Sequence, residues 1–284
     1  MIPVSYQGGK HRLAGQIVDH IQYTGGQMYD VCCGTGAISI EMINRGAKPE
    51  NITMIDLGPW GEVWRRVGDG SFSMRRFCHF IEQIPPDKRL IKDWAANIAE
   101  QPVAPSDVPY LYLLLQAASF GSKAIWVKDG RWQHHGFRNY WTPTATSKYR
   151  YPINPMHPMP GTIYARMEEV CRRMYGVWGL CVDATTAYYA PHSCIYIDPP
   201  YQNMTGYGHT LFLQDILAQT PTCRVYVSEQ EALGTDAIQL IGRKTKGGVS
   251  GKATHARQEW LSFFNAATQA RGSKNRKGGR KWER

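Results

Sequence analysis

Apolar positions in this chain come in short runs divided by glycine turns. From Lys10 to Ile21 they recur at roughly helical spacing, and after Gly25-Gly26 the stretch Met28-Tyr29-Asp30-Val31-Cys32 reads as a strand. CGTGAISIEMINRGAK then gives a tight glycine turn and a second helix closed by Gly46, and Asn51 to Asp56 (NITMID) reads as another strand. Strand, glycine turn, helix and strand make a βαβ unit, which predicts a parallel sheet with a right-handed crossover.

After Asp56 the pattern loosens into a helix-rich region whose longest helix signal is Val108 to Lys123. The segment from Asp129 to Gly161 is too rich in proline, glycine and aromatics for regular structure and too long for an idle connection. Thr162 to Tyr175 reads as a helix and Gly179 to Asp183 as a third strand. Ile195-Tyr196-Ile197-Asp198-Pro199-Pro200-Tyr201 follows, an apolar run of the kind expected for a strand covered on both faces. Two prolines cannot continue a ladder, so they set the chain direction rigidly where Asp198 and Tyr201 emerge. A helix at Leu211 to Gln219 and strands at Arg224 to Ser228, Ala237 to Arg243 and Glu259 to Phe264 complete the pattern. The sheet thus resumes after an insertion. Residues 1–56 and 177–270 would form one α/β domain, 57–176 the insertion, and 271–284 a basic tail.

Four of these strands end in an acid: Asp30, Asp56, Asp183 and Asp198. Aspartate is a common helix N-cap, which is the plain reading of each alone. A parallel sheet brings all four to one edge, where ligands of open α/β sheets bind. An acidic mouth is unexpected in a chain with a formal charge of +10. It suits a cationic small molecule beside a polyanion, and nucleic acid is the first candidate for the polyanion. The tail RGSKNRKGGRKWER holds seven basic residues and one acid, and reads either as a solvated terminus or as a phosphate-tracking arm.

Other classes recede. The 43% hydrophobic content is that of a chain with a real core, and no run reaches the roughly 18 apolar residues of a membrane span. Seven scattered cysteines suit buried thiols in a reducing, cytoplasmic compartment, and no spacing suggests a metal site. CGTG lacks both the GxGxxG of a dinucleotide site and the GK[ST] of a P-loop, so it suits close backbone approach more than a pyrophosphate. With Asp56 placed for a ribose, a nucleoside without phosphates fits better, and S-adenosylmethionine is one that carries a cation.

At this point the chain resembles the Dam-like class (D12, alpha group) of DNA adenine N6-methyltransferases. YQGGKHRLAGQI is similar to that class's front motif, DVCCGTGAISIE to its cofactor glycine motif and DPPY to its catalytic motif, in the order the class uses, with a long insertion between the last two. Val31-Cys32-Cys33 departs from the more usual Pro-Phe after the first acid, and LQAASFGSKAIW follows the family only loosely. The resemblance implies a Rossmann-like methyltransferase sheet with a helical target-recognition insertion, a bacterial or bacteriophage source, no metal, and double-stranded DNA whose target adenine is flipped out of the stack.

It also implies roles. Asp198, Pro199, Pro200 and Tyr201 would be catalytic; Tyr6, Lys10, Asp30, Gly34, Gly36, Asp56 and Asp183 would hold S-adenosylmethionine. GYGHT after the catalytic motif would close over the base. Within the long loop, Arg131, Trp132, Arg138, Tyr140, Lys148 and Arg150 mix cations with aromatics, a combination that contacts phosphates and stacks on bases but reads few base edges. That mixture implies a short or relaxed target sequence; the plain reading of the same loop is a pinned surface segment whose aromatics pack inward. RNA adenine, the exocyclic N4 of cytosine, and a catalytically silent DNA-binding role on the same scaffold remain the alternatives.

Overall fold

The β-branched runs pair as buried strands should. The computed structural model describes residues 1–148, 150–200, 211–234, 236–240 and 258–265. Its strands are β1 (Met28–Val31), β2 (Ile52–Ile55), β3 (Trp126–Lys128), β4 (Arg131–Gln133), β5 (Trp178–Leu180), β6 (Cys194–Ile197), β7 (Arg224–Glu229), β8 (Ala237–Leu240) and β9 (Glu259–Phe264). Among the described residues seven of them form one sheet in the order β5-β2-β1-β6-β7-β9-β8, and β3 and β4 form a separate hairpin. β1, β2, β5, β6 and β7 run parallel; β9 runs antiparallel to both β7 and β8. Every position of β1, β2 and β6 is buried, as continuous apolar strands between two helical layers require. At their carboxyl ends Val31 stands between Ile55 and Ile197, with Val227 next beyond.

The helices are α1 (Ala14–His20), α2 (Ala37–Asn44), α3 (Pro59–Gly68), α4 (Met74–Glu82), α5 (Ile91–Glu100), α6 (Val108–Ala118), α7 (Pro160–Arg173) and α8 (Leu213–Gln219). α3 lies almost against the backbone of the edge strand. A Cβ on Gly61 would come 2.2 Å from the Asp56 carbonyl oxygen, and one on Gly179 would come 2.0 Å from the Arg65 amide nitrogen. Only glycine at both positions permits that approach. α6 is buried on all sides, as a helix apolar all round should be. The apolar cluster beneath β1 and β2 continues through Trp60 and Trp64 of α3 into α6 and α7, so insertion and sheet share one core.

The structure departs from the sequence pattern in several places. Asp30 lies inside β1, and Asp183 stands in a turn three residues past β5, where its side chain accepts hydrogen bonds from the Thr185 amide (2.8 Å) and hydroxyl (2.7 Å). Of the four acids, Asp56 and Asp198 therefore directly follow their strands. α6 stops at Ala118, because Gly121 (φ 65°) and Ser122 (φ 58°) turn the chain out of the helix, and α7 is longer. The segment expected to lack regular structure begins with β4, which joins β3 through Asp129-Gly130, both at positive φ as a tight hairpin turn demands. Tyr201, GYGHT, the last residues of the strand expected at Ala237 to Arg243, and the 271–284 tail lie outside the described residues. No helix among the described residues is long and apolar enough to cross a membrane.

Candidate active site

Strand order reverses direction at β1: the chain moves outward to β2 and β5 on one side and to β6 and β7 on the other. Such a switch point leaves a crevice at the carboxyl ends of the two central strands, since their following turns diverge. A cleft of about 980 Å³, counted out to its open mouth, lies there. The turn after β1 (Asp30, Cys32 to Thr35), Asp56 after β2, and Asp198-Pro199-Pro200 after β6 line it. Tyr6 to Lys10 and Trp60 also line it, and from the insertion Tyr112 and Ala124 to Trp126 close one wall. Asp183 borders a smaller adjoining cavity that shares Cys32, Asp56, Leu57 and Pro200 with the first.

The glycine turn is pinned from three directions. Cys33 donates from its backbone amide to the Ile55 carbonyl (3.1 Å), Trp64 from its indole to the Gly34 carbonyl (2.8 Å), and the Gly34 amide to Asp56 Oδ2 (3.0 Å). The other carboxylate oxygen of Asp56 accepts from the Gly58 amide (2.8 Å), so one acid clamps the turns after two strands. Gly34 faces the cleft, whereas Gly36 does not. Gly36 sits at φ 68°, and a Cβ there would lie 2.5 Å from the Trp64 ring. That close approach to Trp64 is what glycine at this position, the N-terminus of α2, permits.

Asp30 is enclosed and accepts from the Ser39 amide (3.2 Å) and hydroxyl (2.6 Å), tying β1 to α2. Burial pushes its carboxyl up to about 7 against the pull of those bonds, with the charges of Asp198 and Asp56 adding. Cys32, at φ 57°, stands among all four predicted acids: burial, then Asp56, Asp198, Asp30 and Asp183, push its thiol well up. The acids do converge, around one thiol, at the mouth of a basic chain.

Lys10 lies enclosed ahead of α1. Its side chain is 6% exposed, and its ammonium donates to Asp198 Oδ1 (2.6 Å) and to the Gly8 carbonyl (3.1 Å), with Glu259 Oε1 at 3.5 Å. Burial pushes Asp198 up to about 6; Lys10 opposes this, and Glu259 and Glu229 add to it. Tyr6 meets Trp60 edge-on at 6.1 Å between ring centroids, and Trp60 meets Tyr112 likewise at 5.2 Å, forming an aromatic floor.

In the long loop the residues divide. Arg131, Lys148 and Arg150 are exposed and Tyr140 is half-exposed. Trp132 is 4% exposed within the core, so the stacking role expected of it is not open to that side chain. Arg138 is half-buried; it donates to the Ser122 hydroxyl (2.7 Å) and reaches the Ala117 carbonyl (3.5 Å), and burial holds its guanidinium below the usual range. It braces the turn after α6. That turn is further held by Gln116 on the Ser122 and Lys123 carbonyls and by the Gln7 amide on the Ser122 carbonyl. That turn presents Phe120, 60% exposed.

Sequence reasoning therefore missed Trp60, Tyr112, Phe120, Trp126 and Glu259. Phe120-Gly121 is visible in the sequence but not that the ring is exposed, and no signal pointed to Glu259. Among the described residues no group of three His, Cys, Asp or Glu side chains is arranged to hold a metal ion. The chain matches no protein-family model and no curated protein.

Proposed function

We propose that the protein transfers a methyl group from S-adenosylmethionine to the exocyclic N6 of adenine in DNA. The observation that carries this reading is the meeting, in one cleft at the strand-order switch, of a glycine turn clamped by Asp56 and the rigid Asp198-Pro199-Pro200. The donor set fits the cofactor. Carboxylates at the mouth suit a sulfonium and ribose hydroxyls, the Gly34 turn admits close backbone approach, and the aromatic floor suits an uncharged body. Tyr6, Gly34 and Asp56 would hold it, with Asp183 at the adjoining cavity and Asp30 beneath, tying the cleft wall to α2. When bound, S-adenosylmethionine supplies a methyl group activated by a positive sulfur.

The chain's own residues do the rest. The lone pair of an adenine amino group is delocalised into the ring, so it is a weak nucleophile. Asp198 and the Pro199 carbonyl present two acceptors for the two N–H bonds, which favours a tetrahedral nitrogen and stabilises the charge that develops on it. Proline's fixed φ keeps those acceptors in place without reorganisation. Exposed Arg131, Lys148 and Arg150 suit phosphates, and Phe120 on its braced turn suits contact with unstacked bases. A target base inside a duplex lies out of reach, so adenine is read as flipped into the cleft.

The test is methylation of unmodified genomic DNA by the purified protein, with modified positions mapped at base resolution, beside Asp198→Ala. Wild type should modify adenine at short or relaxed sites, and the variant should lose transfer while still binding cofactor. Modification of cytosine N4 or of RNA alone would replace the substrate in this reading. Cofactor binding without transfer to any nucleic acid would make the chain a binding protein.

A further inference from the structure

β9 runs against its neighbours, so its first residue, and not its last, lies at the edge of the sheet where the parallel strands end. Trp260 pairs with Glu229, the last residue of β7, and Glu259 stands one step beyond. From there its carboxylate reaches Lys10, which came from the other end of the chain to meet Asp198. Among the described residues, oxygens of three groups lie around this ammonium: Gly8 O, Asp198 Oδ1 and Glu259 Oε1, at 3.1, 2.6 and 3.5 Å.

A lysine held by Asp198 alone would compete with an incoming amino group, because it already takes Oδ1 of the carboxylate that the amino group needs. Resting on the methyl-transfer reading above, we infer that Glu259 is a positioning residue for that reaction: it is the alternative partner to which Lys10 passes when substrate takes Asp198. The swing keeps a cation enclosed with a counter-charge throughout, and it delivers Asp198 to the substrate as an anion. Lys10 and Glu259 are 6% and 12% exposed, so water is a poor substitute for either partner. Other titratable groups also face Asp198. Glu229 on β7 and Asp30 on β1 are carboxyls that burial holds up, and Tyr196 on β6 and the Cys32 thiol after β1 are pushed far above neutral range. Among the described residues, Lys10 is the cation that acts on both Asp198 and Glu229.

The experiment pairs Glu259→Gln with Lys10→Met. Each is followed by single-turnover methyl transfer across pH and by titration of the Asp198 carboxyl in protein labelled with ¹³C at aspartate carboxyls. In Glu259→Gln one negative neighbour is gone and Lys10 stays on Asp198. The Asp198 midpoint and the acid limb of the rate profile should both move down by roughly one pH unit. The plateau rate should fall roughly tenfold, the acceptor now being less free. In Lys10→Met both midpoints should move up, and Glu259→Asp should restore part of the rate. A Glu259→Gln protein that melts earlier while its Asp198 midpoint and plateau stay put would overturn the inference, as would a shift in the direction of Lys10→Met. Opposed titration shifts in a wild type and variants that methylate nothing would instead sink the methyl-transfer reading and leave the coupling of Asp198, Lys10 and Glu259 standing.

Discussion

Replacing Asp56 by alanine separates two roles that its position gives it. The carboxylate accepts from Gly34 at 3.0 Å and from Gly58 at 2.8 Å, and it faces the cleft where a ribose would lie. A hydrogen bond to an ionised acceptor contributes about 1.5–3 kcal/mol. Asp56 is only half-buried, so water reaches the orphaned amides and the pair should cost near the low end, about 2–3 kcal/mol in all. For a chain of this size that lowers the melting temperature by roughly 3–5 °C. Loss of a ribose contact is a separate effect and should weaken cofactor binding by roughly ten- to a hundred-fold. Asp56→Asn keeps one acceptor, and should recover about half of the thermal loss but little of the affinity. Melting is read by calorimetry, and affinity by titration calorimetry with S-adenosylmethionine well below the variant's transition. If Asp56→Ala melts earlier yet binds the cofactor as wild type does, Asp56 is a clamp between turns and nothing more. If neither quantity moves, the two hydrogen bonds are not what hold the glycine turn.

Asp30→Asn should change how stability depends on pH. Its folded-state carboxyl sits at about 7 against an ordinary 3.8, so its favourable contribution is complete below 3.8 and is lost as pH rises through 7. Between pH 5 and 8 wild type should lose about 3 kcal/mol relative to the variant, whose amide oxygen still accepts from Ser39; parallel melting curves would refute the shift. Transfer by the wild type should fall below pH 6 as Asp198 gains a proton, and a rate flat from pH 5 to 8 would remove the need for an ionised Asp198. Arg131→Ala should reduce the logarithmic salt slope of DNA binding by about one unit, whereas Phe120→Ala should weaken binding with the slope unchanged. Equal salt slopes in wild type and Arg131→Ala would take Arg131 off the phosphate path.

How much of this was legible in the sequence depends on how local the cause is. The runs TMI and IYI announced themselves as strands because burial on both faces leaves no polar position to disguise the pattern. That they lie parallel, with their acids toward one edge, followed from the βαβ pattern; the order that sets the turn after β1 beside Asp198 is seen only in the structure. Local chemistry also marks the β3–β4 hairpin, where Asp129-Gly130 is a known turn pair, although the surrounding prolines and aromatics suggest a loop. Trp132 and Arg138 show where composition fails. A loop that mixes cations with aromatics is a statement about residue types, and which of them face inward is set by the helix they pack on. Here α6 and its turn take Arg138 into a brace and the core takes Trp132, leaving Arg131, Lys148 and Arg150 outside.

Glu259 lay beyond any such reading for a topological reason. In a sheet taken as parallel throughout, the first residue of a strand belongs to the edge away from the site, so an acid opening the last strand carries no expectation. Reversing one strand inverts that rule. Because β9 enters between β7 and β8 in the opposite sense, its leading carboxylate arrives beside Asp198, and a lysine near the front of the chain has two acids to answer to, not one. On the reading proposed above, the prolines after Asp198 keep its carboxylate in place while Lys10 passes between two acids, and three segments that lie far apart in sequence would set the charge offered at that point.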